Sequence, residues 1–364
     1  TVSVGTLALN GTAGANTTIA GDANTATFDV TISGGTLRND ANEQIADTAS
    51  ITMSSGVYSL NGVTETIDAF TNSGGTFTTG AGTLIGLGNT ITWSGGTNTI
   101  NDGGTVQDQH FDVSGGTNTV EGGATGGTLH VQSGGTGFEF TGTGTPNVTL
   151  SSDAANAGRM LLEGNLTVAS TITGTATISN GGAAANSGFI DMNGGTRTFT
   201  VNDATPDIDL EISALITNGG LTKAGTGTME LTGVNTYDGG TDINAGTLLI
   251  NASNAGAVGD VNINSGGTLG GTGSIGGATT LDSGGFLSPG DGGTGDTLSF
   301  LSSLDIQNAS AGSLLFDLGA AGTGDTVNVT GQLSIGDGLL DLDSFAFTDL
   351  GVTSVTGTYT WNLF

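Results

Sequence analysis

The tetrapeptide Ser-Gly-Gly-Thr begins at Ser73, Ser94, Ser114 and Ser133, so one signature returns about every 20 residues. It begins again at Ser33 and Ser265, with relatives at Asn193 (NGGT), Asp238 (DGGT) and Ser283 (SGGF), and a degenerate copy (SSGV) beside Ser55. Between the copies run short alternating stretches such as TITW, HFDV and LHVQ. Alternation is the strand signal, and a glycine pair supplies backbone angles closed to other residues. The chain therefore reads as a repeating coil of two or three short strands per turn. Successive coils would stack as parallel strands about 4.8 Å apart.

Among 364 residues there are 69 glycines, 3 prolines and no cysteine. That much glycine usually means collagen or disorder, but no Gly-X-Y period exists and 35% of the residues are apolar. The apolar runs are rich in Thr, Val, Ile and Leu, which suit a half-buried sheet. The fold class is all-β, a parallel β-solenoid (β-helix). Ile91 and Trp93, Phe111 and Val113, Leu129 and Val131, and Phe138 and Phe140 should point inward. Thr, Asn, Asp and Gln should point outward. Segments Arg38–Thr48 and Asp153–Glu163 lack alternation and read as loops or single helical turns. No linker divides residues 1–364, which read as one continuous solenoid. N-terminal coils span 1–72, with a candidate donor strand and a loop insertion. Coils of the Ser-Gly-Gly-Thr type span 73–218, and a different repeat style spans 219–364.

The formal net charge is −29, from 33 acidic and 4 basic residues. Arg38, Arg159, Arg197 and Lys223 cannot build a phosphate-binding surface, which excludes nucleic acid as a partner. The same imbalance disfavours docking on an anionic membrane. No apolar run is long enough for a membrane-spanning helix, so direct membrane insertion is not expected. A start at Thr1 without Met fits a processed product. The ending YTWNLF lacks the alternation of a terminal barrel strand.

From Gly219 the sequence GGLTKAGTGTMELTGVNTYDGGTDINAGTLLIN closely resembles the autotransporter-associated β-strand repeat of bacterial surface proteins. That repeat occurs in autotransporter passengers and in proteins with a PEP-CTERM sorting tail. The resemblance is carried by GGLTKAGTGT (Gly219–Thr228), NTYDGGT (Asn235–Thr241) and NAGTL (Asn244–Leu248). The stretches Val261–Gly290 and Thr323–Asp343 look like the units that follow it. The resemblance covers roughly Gly219–Asp343. It implies a right-handed solenoid that is secreted, extracellular or on the bacterial cell surface. The family has no common catalytic residues, so none is transferred and no enzyme is expected.

Several residues could still carry chemistry. His110 and His130 are the only histidines. Aligning Phe111 with Leu129 places Asp112 beside His130, as a metal or acid–base pair would need; the alternative is two solvated histidines. Asp207, Asp209 and Glu211 alternate and would share one strand face, with Arg197 a coil away. Polysaccharide-cleaving solenoids need such carboxylates beside a cation, and an exposed polar face is the alternative. The turns GDGGTGD and GDGLLDLD make Asp291, Asp296, Asp337, Asp341 and Asp343 candidate calcium ligands. The alternative is that Asp simply favours turns. Calcium is the one cofactor to consider, and otherwise none is expected. Thr76/Thr78, Thr97/Thr99, Thr117/Thr119 and Thr196/Thr198 would form hydroxyl ladders if the coils stack in register. Such an array can bind ice, or can serve only the sheet. Asn10, Asn16, Asn147, Asn165 and Asn328 open Asn-x-Ser/Thr sequons.

A stacked solenoid presents unpaired backbone groups at its end coils. TVSVGTLALN reads as a strand, and the last residues are again β-like. Thr1, Val2, Val4, Leu7, Leu9, Tyr359, Trp361 and Phe364 are thus candidate self-assembly residues. The first reading is a structural protein polymerising head-to-tail into an extracellular filament or sheath, its partner being itself. The alternative is a monomeric passenger-type adhesin stalk that binds a cell surface or a cell-surface polysaccharide. An enzyme and an ice-binding protein rank below these.

Overall fold

The strands that carry the repeats are very short. Ile91–Trp93 has three residues and Thr97–Ile100 four, with Ser94-Gly95-Gly96 turning the chain between them. The second glycine decides the corner. Gly96 and Gly116 have φ of +68° and +82°, and a Cβ on Gly96 would stand 2.1 Å from the carbonyl oxygen of Gly75 one coil away. No side chain fits there, which is why glycine holds this position in the corners after Ser94 and Ser114.

The structure is a computed structural model that describes residues 1–10, 29–152, 156–182, 188–293, 295–318, 324–336 and 344–349. Among the described residues its regular elements are mainly β-strands, and the strands pair in parallel from coil to coil. The chain forms two compact units, 1–193 with 204–206, and 194–203 with 207–364.

In the first unit each coil contributes up to three strands, and like strands stack into three faces. One face runs through Ala69–Asn72, Ile91–Trp93, His110–Val113, Gly137–Phe140 and Leu166–Val168. The second runs through Thr76–Thr78, Thr97–Ile100, Thr117–Val120, Asn147–Leu150 and Ala176–Asn180. The third runs from Thr64–Ile67 through Thr83–Gly86, Thr105–Asp108, Thr128–Val131 and Arg159–Leu162 to Phe189–Asp191. Two longer strands, Val30–Asn39 and Ser50–Ser59, cross both of the first two faces, with a register shift at Ser33. Ser33 pairs with Ser55 and Thr36 with Val57, so the degenerate copy beside Ser55 is a true corner.

The inward positions are those the alternation predicts. Ile91, Trp93, Phe111, Val113, Leu129, Val131, Phe138 and Phe140 are all buried. Rings stack along the interior, with Tyr58, Phe70 and Phe77 forming one cluster and Trp93, Phe111, Phe138 and Phe140 another. Each such ring contributes about 1.5–3 kcal/mol on burial. The rest of the cohesion comes from the backbone ladders that join the coils.

Three expectations need correction. The Ser133 copy is out of phase with the other three. It joins Thr128–Val131 of the third face to Gly137–Phe140 of the first, whereas the copies at Ser73, Ser94 and Ser114 join the first face to the second. Phe111 therefore pairs with Phe138, not Leu129. Asp153–Glu163 is not wholly loop, because Arg159–Leu162 is a strand of the third face, and Arg38–Thr48 likewise begins inside the strand Val30–Asn39. Asn98 and Asn118, read as outward, are fully buried.

The second unit repeats the scheme with its own faces. Thr196–Val201, Gly220–Ala224, Thr241–Ile243, Val261–Ile263 and Thr279–Leu281 form one. Leu210–Ile212, Thr228–Leu231, Gly246–Ile250, Gly267–Gly271 and Phe286–Pro289 form another. A third stacks Ser253–Asn254, Ser274–Ile275, Thr297–Phe300 and Thr326–Val329.

Candidate functional site

Several polar residues are turned into the coil. In the first unit a file of asparagines runs along the interior of one corner. Asn72 donates to Asn98 Oδ1 at 2.8 Å, and Asn98 donates to Asn118 Oδ1 at 2.8 Å. Asn118 in turn donates to the backbone oxygen of Asn147 at 2.8 Å. Asn72 Oδ1 also accepts the N–H groups of Gly74 and Gly75, which closes the corner's backbone bonds. The amide changes side between coils. Asn72 pairs with Trp93 and Phe77 with Asn98, so each of these two coils places one amide and one ring at the corner. Buried amides satisfied in this way fix one register of stacking.

Glu65 is a second inward polar group. Its carboxylate accepts the N–H of Gln44 at 2.8 Å, the N–H of Ile45 at 2.9 Å, and the side-chain amide of Asn39. Burial, and then the charges of Glu43 and Asp47, push its pKa up to about 7 against the pull of those N–H groups. Residues 40–48 are thereby pinned onto Thr64–Ile67, helped by Glu43, whose N–H reaches the Thr64 carbonyl and whose side chain meets Thr66. Asp108 is a third such group. Its Oδ1 accepts the N–H groups of Gln109 and His110, while Oδ2 has no partner among the described residues. Burial raises its pKa. Gly86 makes the room it occupies, since a Cβ there would lie 1.7 Å from Oδ2.

In the second unit the recognisable repeat shows the same inward turn. Lys223 is fully buried, and its Nζ donates to the carbonyls of Ala224, Gly225 and Ala245 at 2.8–3.1 Å, bridging corners of two coils. Burial brings its pKa down to about 8, opposed by the charge of Asp209. Asn235 accepts the N–H of Ile216 and donates to Gly233 and Asn254, and the Tyr237 hydroxyl meets Thr241 at 2.8 Å.

The expected constellations do not assemble. His110 lies on the first face and His130 on the third, where His130 Nε2 is 3.4 Å from Glu163 Oε1. Asp112 pairs in register with Glu139 and accepts the Thr141 hydroxyl. Asp209 is buried and accepts the N–H of Thr228 at 2.7 Å, while Glu211 points outward and accepts the Thr232 hydroxyl. Asp207 precedes that strand and is exposed, so the three carboxylates share no face. Arg197 stands in a different face, paired with Leu221.

Of the calcium candidates, Asp291 is exposed and Asp296 half-buried, whereas Asp337, Asp341 and Asp343 lie outside the described residues. Beside Asp296 the sequence reading missed Asp325, which is buried and accepts the N–H groups of Asp296 and Asp317. Burial first, then the charges of Asp317 and Asp296, raises its pKa. No group of three or more His, Cys, Asp or Glu residues among the described residues is arranged to hold a metal ion. Of the self-assembly candidates, Val2 and Leu9 are buried and Thr6–Leu9 pairs with the chain's own strand Val30–Asn39. Thr1, Val4 and Leu7 are exposed. Tyr359, Trp361 and Phe364 lie outside the described residues.

The threonine ladders do form in the first unit. Thr76, Thr97 and Thr117 make one column of the second face, and Thr78, Thr99, Thr119 and Thr149 the other. Thr196 and Thr198 belong to a different sheet face, in the second unit.

Comparison with known proteins agrees with this picture. Residues 221–250 match the passenger-associated-transport-repeat. The chain is 31% identical over 226 residues to the adhesin BmaC autotransporter of Brucella suis biovar 1 (strain 1330), a span covering 56% of this chain. It spans 6% of that relative's length.

Proposed function

We propose that this chain is a stretch of the stalk of an autotransporter passenger that works as an adhesin, carried outside the cell or on its surface, with a structural and not a catalytic role. The observation that carries the reading is the behaviour of the 221–250 repeat. Its polar residues Lys223, Asn235, Tyr237 and Thr241 are used internally, to close corners and join coils. A sequence signature spent on stacking marks a scaffold, and a relative similar over 226 residues of the chain is named an adhesin.

The test is surface display. The chain, exported through an outer-membrane translocator on a non-adherent host, should raise the number of bacteria retained on host-cell monolayers or on polysaccharide-coated surfaces. Retention equal to that of the host displaying the translocator alone would overturn the proposal. Self-association is the second reading, favoured by the exposure of Val4 (88%) and Leu7 (41%). Light scattering and electron microscopy of the purified chain decide it. Fibres that vanish with Val4→Asp and Leu7→Asp support it, and a monomer at high concentration rejects it.

A further inference from the structure

We infer that the second face of the first unit is an ice-binding surface. Thr76, Thr97 and Thr117 form one column and Thr78, Thr99 and Thr119 the next, paired in register from coil to coil without a shift. β geometry fixes both repeats of this lattice, about 4.8 Å between coils and about 6.7 Å between the two threonines of one strand. Each point of the lattice presents a hydroxyl and a methyl. Both repeats are close to spacings that recur between water oxygens on a prism face of ice.

Charge is the second observation. The chain carries a formal net charge of −29, yet this face holds no acidic or basic residue at any outward position from Val57 to Ser179. The other two faces of the same unit do, at Asp112 and Glu139 on one and Arg159 and Asp191 on the other. A charged side chain holds a hydration shell that cannot join a crystal lattice, so a neutral, doubly periodic face suits an uncharged ordered solid. No aromatic side chain points out of these strands to stack on a sugar ring, which favours ice over a crystalline polysaccharide.

The experiment uses the purified chain in sub-zero microscopy of single ice crystals, with a recrystallisation assay alongside. The wild type should facet growing crystals and slow grain coarsening. Thr97→Lys and Thr117→Lys, at exposed positions on this face, should abolish both effects with unchanged circular dichroism and melting. Thr92→Lys, on the neighbouring face, should keep both. Unfaceted discs with wild-type protein overturn the inference, as does retained faceting in Thr97→Lys. Adsorption to crystalline cellulose without ice shaping also overturns it.

Discussion

Asn98 donates from Nδ2 to Oδ1 of Asn118 at 2.8 Å, one coil further along the stack. The bond lies wholly inside the coil, where both residues are buried. It couples neighbouring coils through a group that apolar packing cannot replace, because each amide both accepts from one coil and donates to the next.

Replacing Asn98 by Leu should therefore strand a donor on Asn72 and an acceptor on Asn118. Each orphaned group costs about 1–3 kcal/mol, so the variant should lose about 2–6 kcal/mol in urea unfolding of the first unit. A midpoint equal to that of the wild type would show that the file carries no stability.

Gly86 and Asp108 should behave as a coupled pair. Gly86→Ala alone drives a methyl into the Asp108 carboxylate and should cost about 1–3 kcal/mol, as overpacking does. In an Asp108→Ala background the same glycine change should cost markedly less. A double-mutant cycle on unfolding midpoints checks this, and additive penalties would refute it.

The pH dependence of the Glu65 pin has a definite sign. Its pKa rises from 4.5 to about 7 on folding, so between those values the folded chain holds the extra proton. Stability from this group is present below pH 4.5 and is lost as pH rises to 7, by up to about 3 kcal/mol. Relative to Glu65→Gln, the wild type should weaken steadily from pH 4.5 to pH 7 in urea titrations. A constant difference between the two proteins would contradict the assignment.

Lys223 has the opposite slope. Burial lowers its pKa from 10.5 to about 8, so between pH 8 and 10.5 the unfolded chain binds more protons and stability rises with pH. The burden at neutral pH is up to about 3 kcal/mol. The wild type should gain on Lys223→Met between pH 8 and pH 10, read as the difference in unfolding midpoint of the second unit. A wild type that instead loses ground over that range would show that the carbonyl cage holds the ammonium form.

The parallel coil, its inward apolar residues and the threonine columns were legible because strand alternation has a period of two and burial follows it directly. Phase was not. The Ser133 copy sits at the expected distance but turns a different corner, since any corner between short strands accepts the same glycine geometry. The misplacement of His130 beside Asp112 follows from that one slip. Asn98 and Asn118 could have been found. Counting back from the buried Ile100 and Val120 puts both asparagines inside, and the habit of sending amides to solvent hid it. Glu65 and Asp325 are found by the same count, two residues before the buried Ile67 and Val327, but a carboxylate at an inward position runs against the rule that charges face water.

Coil length in the first unit is not constant: Asn98 and Asn118 are separated by 20 residues, whereas Thr149 and Ser179 are separated by 30. The difference is taken up where strands meet, and the strands keep their partners. Such a fold accommodates insertions between its strands while the interior keeps its pairing. Its outward segments can differ in length without disturbing the buried pairs, and its strands cannot.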